Sequence, residues 1–200
     1  MANCNHLILG SSSPYRKELL ERLGLDFTCQ SPEIDETPLK GETPAQLAGR
    51  LSVLKARAIA KDHPGCVVIG SDQVLDLDGK CLGKPLTHEK AIQQLTDMSG
   101  KTVTFHSAMC VIDAQGNEQT ADITTELVIR KLSPEAIEAY LQHEKPYRCA
   151  GSAKIEKMGI AIIKEFRSTD PTAIIGLPLI RLTEMLSKAG IEVLPGLIHE

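Results

Sequence analysis

His6-Leu7-Ile8-Leu9-Gly10-Ser11-Ser12-Ser13-Pro14, running on through Tyr15-Arg16-Lys17-Glu18-Leu19-Leu20 to Leu23, is the stretch from which the fold is read. The apolar run predicts a strand, and the hydroxyl-rich segment after it a turn. Leu19, Leu20 and Leu23 then share one face of a helix over 15–23, which Gly24 stops. Strand, polar turn and helix in that order are the building unit of layered α/β proteins.

The rest of the chain extends the pattern. Residues 27–29 predict a second strand, and 31–41 an acidic, Pro-containing loop holding Glu33, Asp35 and Glu36. Thr43-Pro44-Ala45-Gln46 is a capping box with Pro at the first helical position. It opens a helix to about Lys61, with Leu47, Leu51, Leu54 and Ala58 as its buried stripe and Lys55 on or near its polar face. Residues 66–69 form an apolar strand, bounded by Gly65 and Gly70, and Gly70-Ser71-Asp72-Gln73 follows at its C-terminal end. Residues 74–77 lead into a hairpin at Asp78-Gly79. Thr87 caps a helix to Met98. Two long strands, 102–112 and 118–129, flank Gln115-Gly116-Asn117. A helix starts at Ser133-Pro134-Glu135 and ends near His143, 160–163 predicts a strand, and 178–188 a last helix before Gly190. Helical crossovers mixed with long hairpins predict α/β with a mixed sheet. With no repeats, low-complexity segments or linkers, one domain over 1–200 is expected.

Composition narrows the function. Aromatics are 3% with no Trp, so the core must be built from Leu, Ile, Val and Ala. The net charge is −4 and basic residues are scattered, which leaves no footprint for duplex nucleic acid. A phosphate ligand would therefore be a small molecule in a local pocket. No apolar run approaches the roughly 20 residues that span a bilayer, and residues 1–10 lack the basic region of a signal peptide. The cysteines Cys4, Cys29, Cys66, Cys81, Cys110 and Cys149 form no C-x-x-C pair. They read as reduced thiols of a cytoplasmic protein, mostly in core positions.

Three constellations can carry chemistry. Ser11, Ser12 and Ser13 lie at a strand-to-helix turn, where free N–H groups and the helix dipole favour an anion, with Arg16 and Lys17 one turn later. The glycines of a P-loop or dinucleotide fingerprint are missing. Asp72 follows a buried strand, where open α/β sheets hold their ligands, and could bind a metal or activate water. Glu36 is a candidate second carboxylate, since two carboxylates with phosphate oxygens and water are a usual Mg²⁺ environment. Lys55, Lys84 and Lys154 are separated point charges able to neutralise a triphosphate from several sides. Taken one at a time, each of these residues is more often a cap, a turn residue or a solvated charge.

In this order the motifs resemble the Maf family of nucleotide pyrophosphatases. The matching pieces are Leu9-Gly10-Ser11-Ser12-Ser13-Pro14, Arg16-Lys17-Glu18-Leu19-Leu20, Ile34-Asp35-Glu36, Lys55-Ala56, Ile69-Gly70-Ser71-Asp72-Gln73, Gly83-Lys84-Pro85 and Gly176-Leu177-Pro178. The resemblance implies an elongated mixed sheet with flanking helices, two lobes around a cleft as in Maf and ITPase folds, and often a homodimer. It implies hydrolysis of a nucleoside triphosphate to monophosphate and pyrophosphate with Mg²⁺ or Mn²⁺. Asp72 becomes the catalytic base, and Glu36 joins Asp72 at the metal. Ser11, Ser13, Arg16, Lys55, Lys84 and Lys154 become substrate contacts.

Substrate choice rests on departures from the commoner pattern. Tyr15 stands where many members have Arg, and Gln73 where they have Thr. With Glu156, these resemble the branch acting on 7-methyl-GTP. A methylated guanine is cationic, so the Tyr15 ring can stack on it, and Glu156 can accept from the guanine N1–H and N2–H. Glu156 is expected to share a face with Lys154 in an extended segment, and Gln73 to lie beside the reacting phosphate. The rival readings are a dTTP or UTP pyrophosphatase, and a nucleotide-binding regulator of septum formation. No residue pattern marks a partner surface for the latter.

Overall fold

The computed structural model describes residues 6–196. The element order is β1 (Leu7–Gly10), α1 (Pro14–Glu21), β2 (Phe27–Cys29), α2 (Pro44–Ala60), β3 (Val67–Leu77), β4 (Lys80–Leu82), α3 (His88–Met98), β5 (Thr102–Ile112), β6 (Glu118–Ile129), α4 (Pro134–Glu144), β7 (Ile163–Ser168) and α5 (Leu179–Lys188). Seven strands form one sheet in the order β2-β1-β3-β5-β6-β7, with β4 paired to β3. β1 runs parallel to β2 and β3, and every other pairing is antiparallel. The sheet is therefore mixed, as expected.

Strand alternation divides the side chains between two faces. On one face Ile8, Val68 and Cys110 pack under Ala56 and Ile59 of α2. The other face carries two separate cores. Leu7, Leu9, Ile69 and Met109 meet Leu19 and Leu20 of α1 and Leu182 and Leu186 of α5. Further along the same strands, Leu75, Phe105 and Leu127 meet Leu95 of α3 and Leu141 of α4. The long strands β3, β5 and β6 thus join two lobes. Among the described residues no helix is long and apolar enough to cross a membrane.

The edge of β3 shows where the lobes part. Its pairing with β1 stops at Gly70, and its pairing with β4 begins at Leu75. Ser71–Val74 lie between, a stretch of about 13 Å at ~3.3 Å per residue.

Four expectations need correction. β3 is continuous over Val67–Leu77, so Asp72 lies in mid-strand rather than at the end of a strand that stops at Ile69. Gly70 is no break: a Cβ there would meet Ser52 O at 2.2 Å and Ala56 N at 2.5 Å, so the glycine admits α2 against the strand. The buried stripe of α2 includes Ala48, Ser52, Lys55, Ala56 and Ile59 beside Leu47 and Leu51, and Lys55 faces the sheet. Residues 158–162 are a tight helical turn, and the strand starts at Ile163. The start of that turn is closed by the Ile160 N–H, which donates to Lys157 O at 3.2 Å. Of the cysteines, Cys66 and Cys110 are buried, Cys149 is half-buried and Cys29 and Cys81 are exposed, so fewer fill the core than expected. Cys4 lies outside the described residues.

Candidate active site

The turn after β1 is built by its own hydroxyls. Ser13 caps α1, accepting from Arg16 N at 3.4 Å, and Ser11 Oγ accepts from Ser13 N at 3.1 Å. The half-buried Arg16 then folds back: its Nη1 reaches Ser11 Oγ at 3.4 Å, and its Nε donates to Gly176 O at 2.9 Å. Ser71 Oγ donates to the same carbonyl at 3.0 Å. Gly176 takes φ 115°, and a Cβ there would crowd Arg16 Nε at 3.3 Å, so the glycine lets the guanidinium lie against the turn.

That turn has an organiser that none of the sequence motifs includes. Asp170 is buried, and its Oδ1 accepts from Thr172 N at 2.8 Å and Thr172 Oγ1 at 2.6 Å. Its Oδ2 accepts from Ile180 N at 2.7 Å, capping the first turn of α5. The Asp170-Pro171-Thr172 triplet is an Asx-turn pattern and could have revealed it.

The centre of the site is an ammonium between two carboxylates. Lys55 Nζ lies 2.7 Å from Asp72 Oδ1 and 2.6 Å from Glu36 Oε1. Burial pushes the Asp72 carboxyl up from its ordinary value; Lys55 and Arg16 pull it back, and Glu36 adds to the rise. Burial lowers the Arg16 guanidinium against the attraction of Asp72 and Glu36. Glu36 comes from an exposed loop stapled to α2 by Arg50. Arg50 makes a two-pronged pair with Glu42 at 2.6 and 2.8 Å and donates to Thr37 O at 3.1 Å. That contact takes the Glu42 carboxyl down to about 2.

Among the described residues no group of three or more His, Cys, Asp or Glu side chains gathers as a metal site. Glu36 and Asp72 nevertheless hold one cationic group between them, and their oxygen donors suit a hard divalent ion. Such an ion would need phosphate oxygens and water to complete its shell.

A second cluster lies on the other lobe. Lys154 Nζ is 3.8 Å from Glu144 Oε2. Burial raises the Cys149 thiol, with Glu156 and Glu144 raising it further and Lys154 and Lys84 opposing them. Residues 155–157 form a turn closed by Lys157 N donating to Lys154 O at 3.2 Å. The expected alternation of Lys154 and Glu156 in an extended segment is therefore not what brings them near each other. Ile155, between them, enters the core.

Gln73 is also placed differently from the expectation. Adjacent strand residues point to opposite faces, so its amide leaves Asp72 behind. Its Nε2 lies 3.0 Å from Ser107 Oγ, Ala173 O and Ile174 O. Tyr15, by contrast, is exposed on the first turn of α1 beside Arg16. The structure thus assembles Ser11, Ser13, Arg16, Lys55, Asp72 and Glu36 on one lobe, and Lys84, Lys154 and Glu156 on the other.

The profile described as "Maf-like protein" matches residues 6–189. A protein of Cupriavidus metallidurans named 7-methyl-GTP pyrophosphatase is 59% identical over 185 residues, 92% of this chain and 93% of that protein. One of Bordetella pertussis with the same name is 58% identical over 190 residues, 95% of each chain. Among solved structures, a HAM1 protein from Coxiella burnetii matches 92% of this chain and 98% of its own, with TM-score 0.51 and 16% identity, a likeness of fold.

Proposed function

The chain belongs to the Maf-like family, and from that premise we propose that it hydrolyses 7-methyl-GTP to 7-methyl-GMP and pyrophosphate, with Asp72 as general base. The observation that carries the catalytic part is the Lys55 ammonium held between Asp72 and Glu36. A buried carboxylate whose proton affinity is raised, beside cations suited to phosphate, is a base set at the point of reaction. The guanine part is supported by the relatives, named 7-methyl-GTP pyrophosphatases at 53–59% identity.

Water attacks the α-phosphorus and Asp72 takes its proton, while the bond to the bridging oxygen of the β-phosphate breaks and pyrophosphate leaves. Ser11, Ser13 and Arg16 hold phosphate oxygens at the N-terminus of α1. Lys55 is released from one carboxylate as the substrate enters and turns to the phosphates. Lys84 and Lys154 take the departing pyrophosphoryl group from the other lobe. Glu36 and Asp72 would hold Mg²⁺ or Mn²⁺, which supplies charge neutralisation on the phosphates.

Tyr15 stacks on the cationic base, and Glu156 accepts from guanine. Gln73 acts on specificity at one remove, by fixing the 173–176 turn on which Arg16 rests. The enzyme acts on free nucleotides in the cytoplasm, as a single-domain chain that pairs as a homodimer. The test is kcat/KM for 7-methyl-GTP, GTP, dTTP and UTP, with the wild type, Tyr15→Ala and Glu156→Gln. Preference for 7-methyl-GTP is expected, with Tyr15→Ala losing up to about 2 kcal/mol of it. Preference for dTTP or UTP, or equal losses on all four nucleotides, refutes the assignment.

A further inference from the structure

One side-chain amide connects the two loops that carry the second lobe's lysines. Gln94, half-buried on α3, donates from Nε2 to Gly83 O at 2.9 Å and accepts at Oε1 from Ser152 Oγ at 2.8 Å. Gly83 immediately precedes Lys84, and Ser152 lies two residues before Lys154. We propose that Gln94 is a positioning residue that locks loop 83–86 to turn 151–154, so that Lys84 and Lys154 form one preset grip for the pyrophosphoryl group of the substrate. The inference rests on the phosphate role given to those lysines above.

The surrounding hydrogen bonds complete the same lock. Gly151 N donates to Gly83 O at 3.2 Å, and Leu86 N to Tyr147 O at 3.0 Å. On the far side of the turn, the Tyr140 hydroxyl donates to Ser152 O and accepts from Lys154 N, both at 3.0 Å. Both loops are held in a costly backbone conformation. Leu86 has φ 65° and the buried Ser152 φ 58°, in the left-handed region that side chains disfavour. Gly151, at φ 62°, has no room for a side chain unless Leu75 shifts, because a Cβ would meet Leu75 Cδ1 at 2.3 Å. Such strain persists only where neighbouring contacts over-determine it, and it collects at functional sites. Lys84 and Lys154 also act on one and the same thiol, Cys149.

The donor and acceptor ends of one amide are both needed. Gln94→Glu can still accept from Ser152, but it sets an anion against the Gly83 carbonyl. Gln94→Met removes both bonds without a charge and carries the test if the glutamate variant does not fold. The full-length protein is measured for inorganic pyrophosphate binding by calorimetry, for KM and kcat, and for thermal unfolding. Either variant should weaken pyrophosphate binding about tenfold and raise KM in parallel, with kcat within about threefold of wild type. In a Lys84→Ala/Lys154→Ala background the Gln94 change should add nothing, since it acts through those two groups. If the lysine variants weaken pyrophosphate binding and the Gln94 variants do not, the positioning role is wrong. It is equally wrong if the Gln94 effect is undiminished without the lysines. If the lysine variants themselves bind pyrophosphate like wild type, the phosphate role beneath the inference falls, and the inference with it.

Discussion

Lys55 and Asp72 meet at 2.7 Å across the contact between α2 and β3, and both side chains are buried. The approach depends on Gly70, two residues before Asp72, whose missing side chain lets the backbone of Ser52 and Ala56 press onto the strand. Glu36 closes on the ammonium from the other side. A buried carboxylate is costly without a partner. Lys55 supplies that partner before any substrate arrives.

Gly70→Ala should separate the pair. Its methyl group would have to displace helix backbone, so a loss of about 1–3 kcal/mol or more is expected in chemical denaturation. Turnover should fall as well, because Lys55 moves with the helix. A variant as stable and active as wild type would show that the helix can give way without disturbing the site.

Asp72→Asn keeps the shape and removes the base. Turnover should drop roughly 10²–10⁴-fold. The melting temperature should fall, because the buried Lys55 ammonium then keeps only Glu36 as a counter-charge. Turnover within about threefold of wild type would place the base elsewhere.

The acid side of the pH profile carries the same signature. Burial raises the Asp72 carboxyl above the ordinary 3.8, so kcat/KM should fall through a pH above that value as the base takes up its proton. Lys55 is the largest influence holding the value down. Lys55→Met should therefore move the acid limb further toward neutral pH. A limb at or below 3.8 in both proteins would remove Asp72 from the rate law.

His106 offers a stability test away from the chemistry. Its imidazole lies 2.7 Å from Asp122, which with help from Asp76 raises its pKa against the effect of burial. A raised folded value means stability present below the ordinary 6.5 and lost as pH rises through the folded value. Asp122→Asn should lower the melting temperature at pH 6, with the difference shrinking in alkaline buffer. A difference independent of pH would mean that the pair contributes by packing alone.

Much of this was legible in order along the chain. Ser13, Thr43, Thr87 and Ser133 were readable as caps because capping is local, a hydroxyl two or three residues from the N–H it accepts. The hairpin at Asp78-Gly79 and the two long strands were likewise decided by near neighbours. The acidic and basic residues of the site could be named from motif order, without knowing which would touch.

Three things waited for the tertiary structure. Gly70 reads locally as a strand end; only the helix lying across it makes it a contact point, with β3 continuing to Asp72 and beyond. Lys55 reads as a surface charge because a lysine is costly to bury, and only the carboxylates of a loop and a strand far apart in sequence overcome that cost. Gln94 carries no motif at all, since an amide's two partners, Gly83 and Ser152, become visible only when the loops meet. Sequence alone determined the elements, their order and the chemical inventory, because those depend on backbone propensity and side-chain type over a few residues. Which inventory members share a charge or a hydrogen bond was decided by tertiary packing, because electrostatic and hydrogen-bond energies depend on distances of a few ångströms between residues distant along the chain.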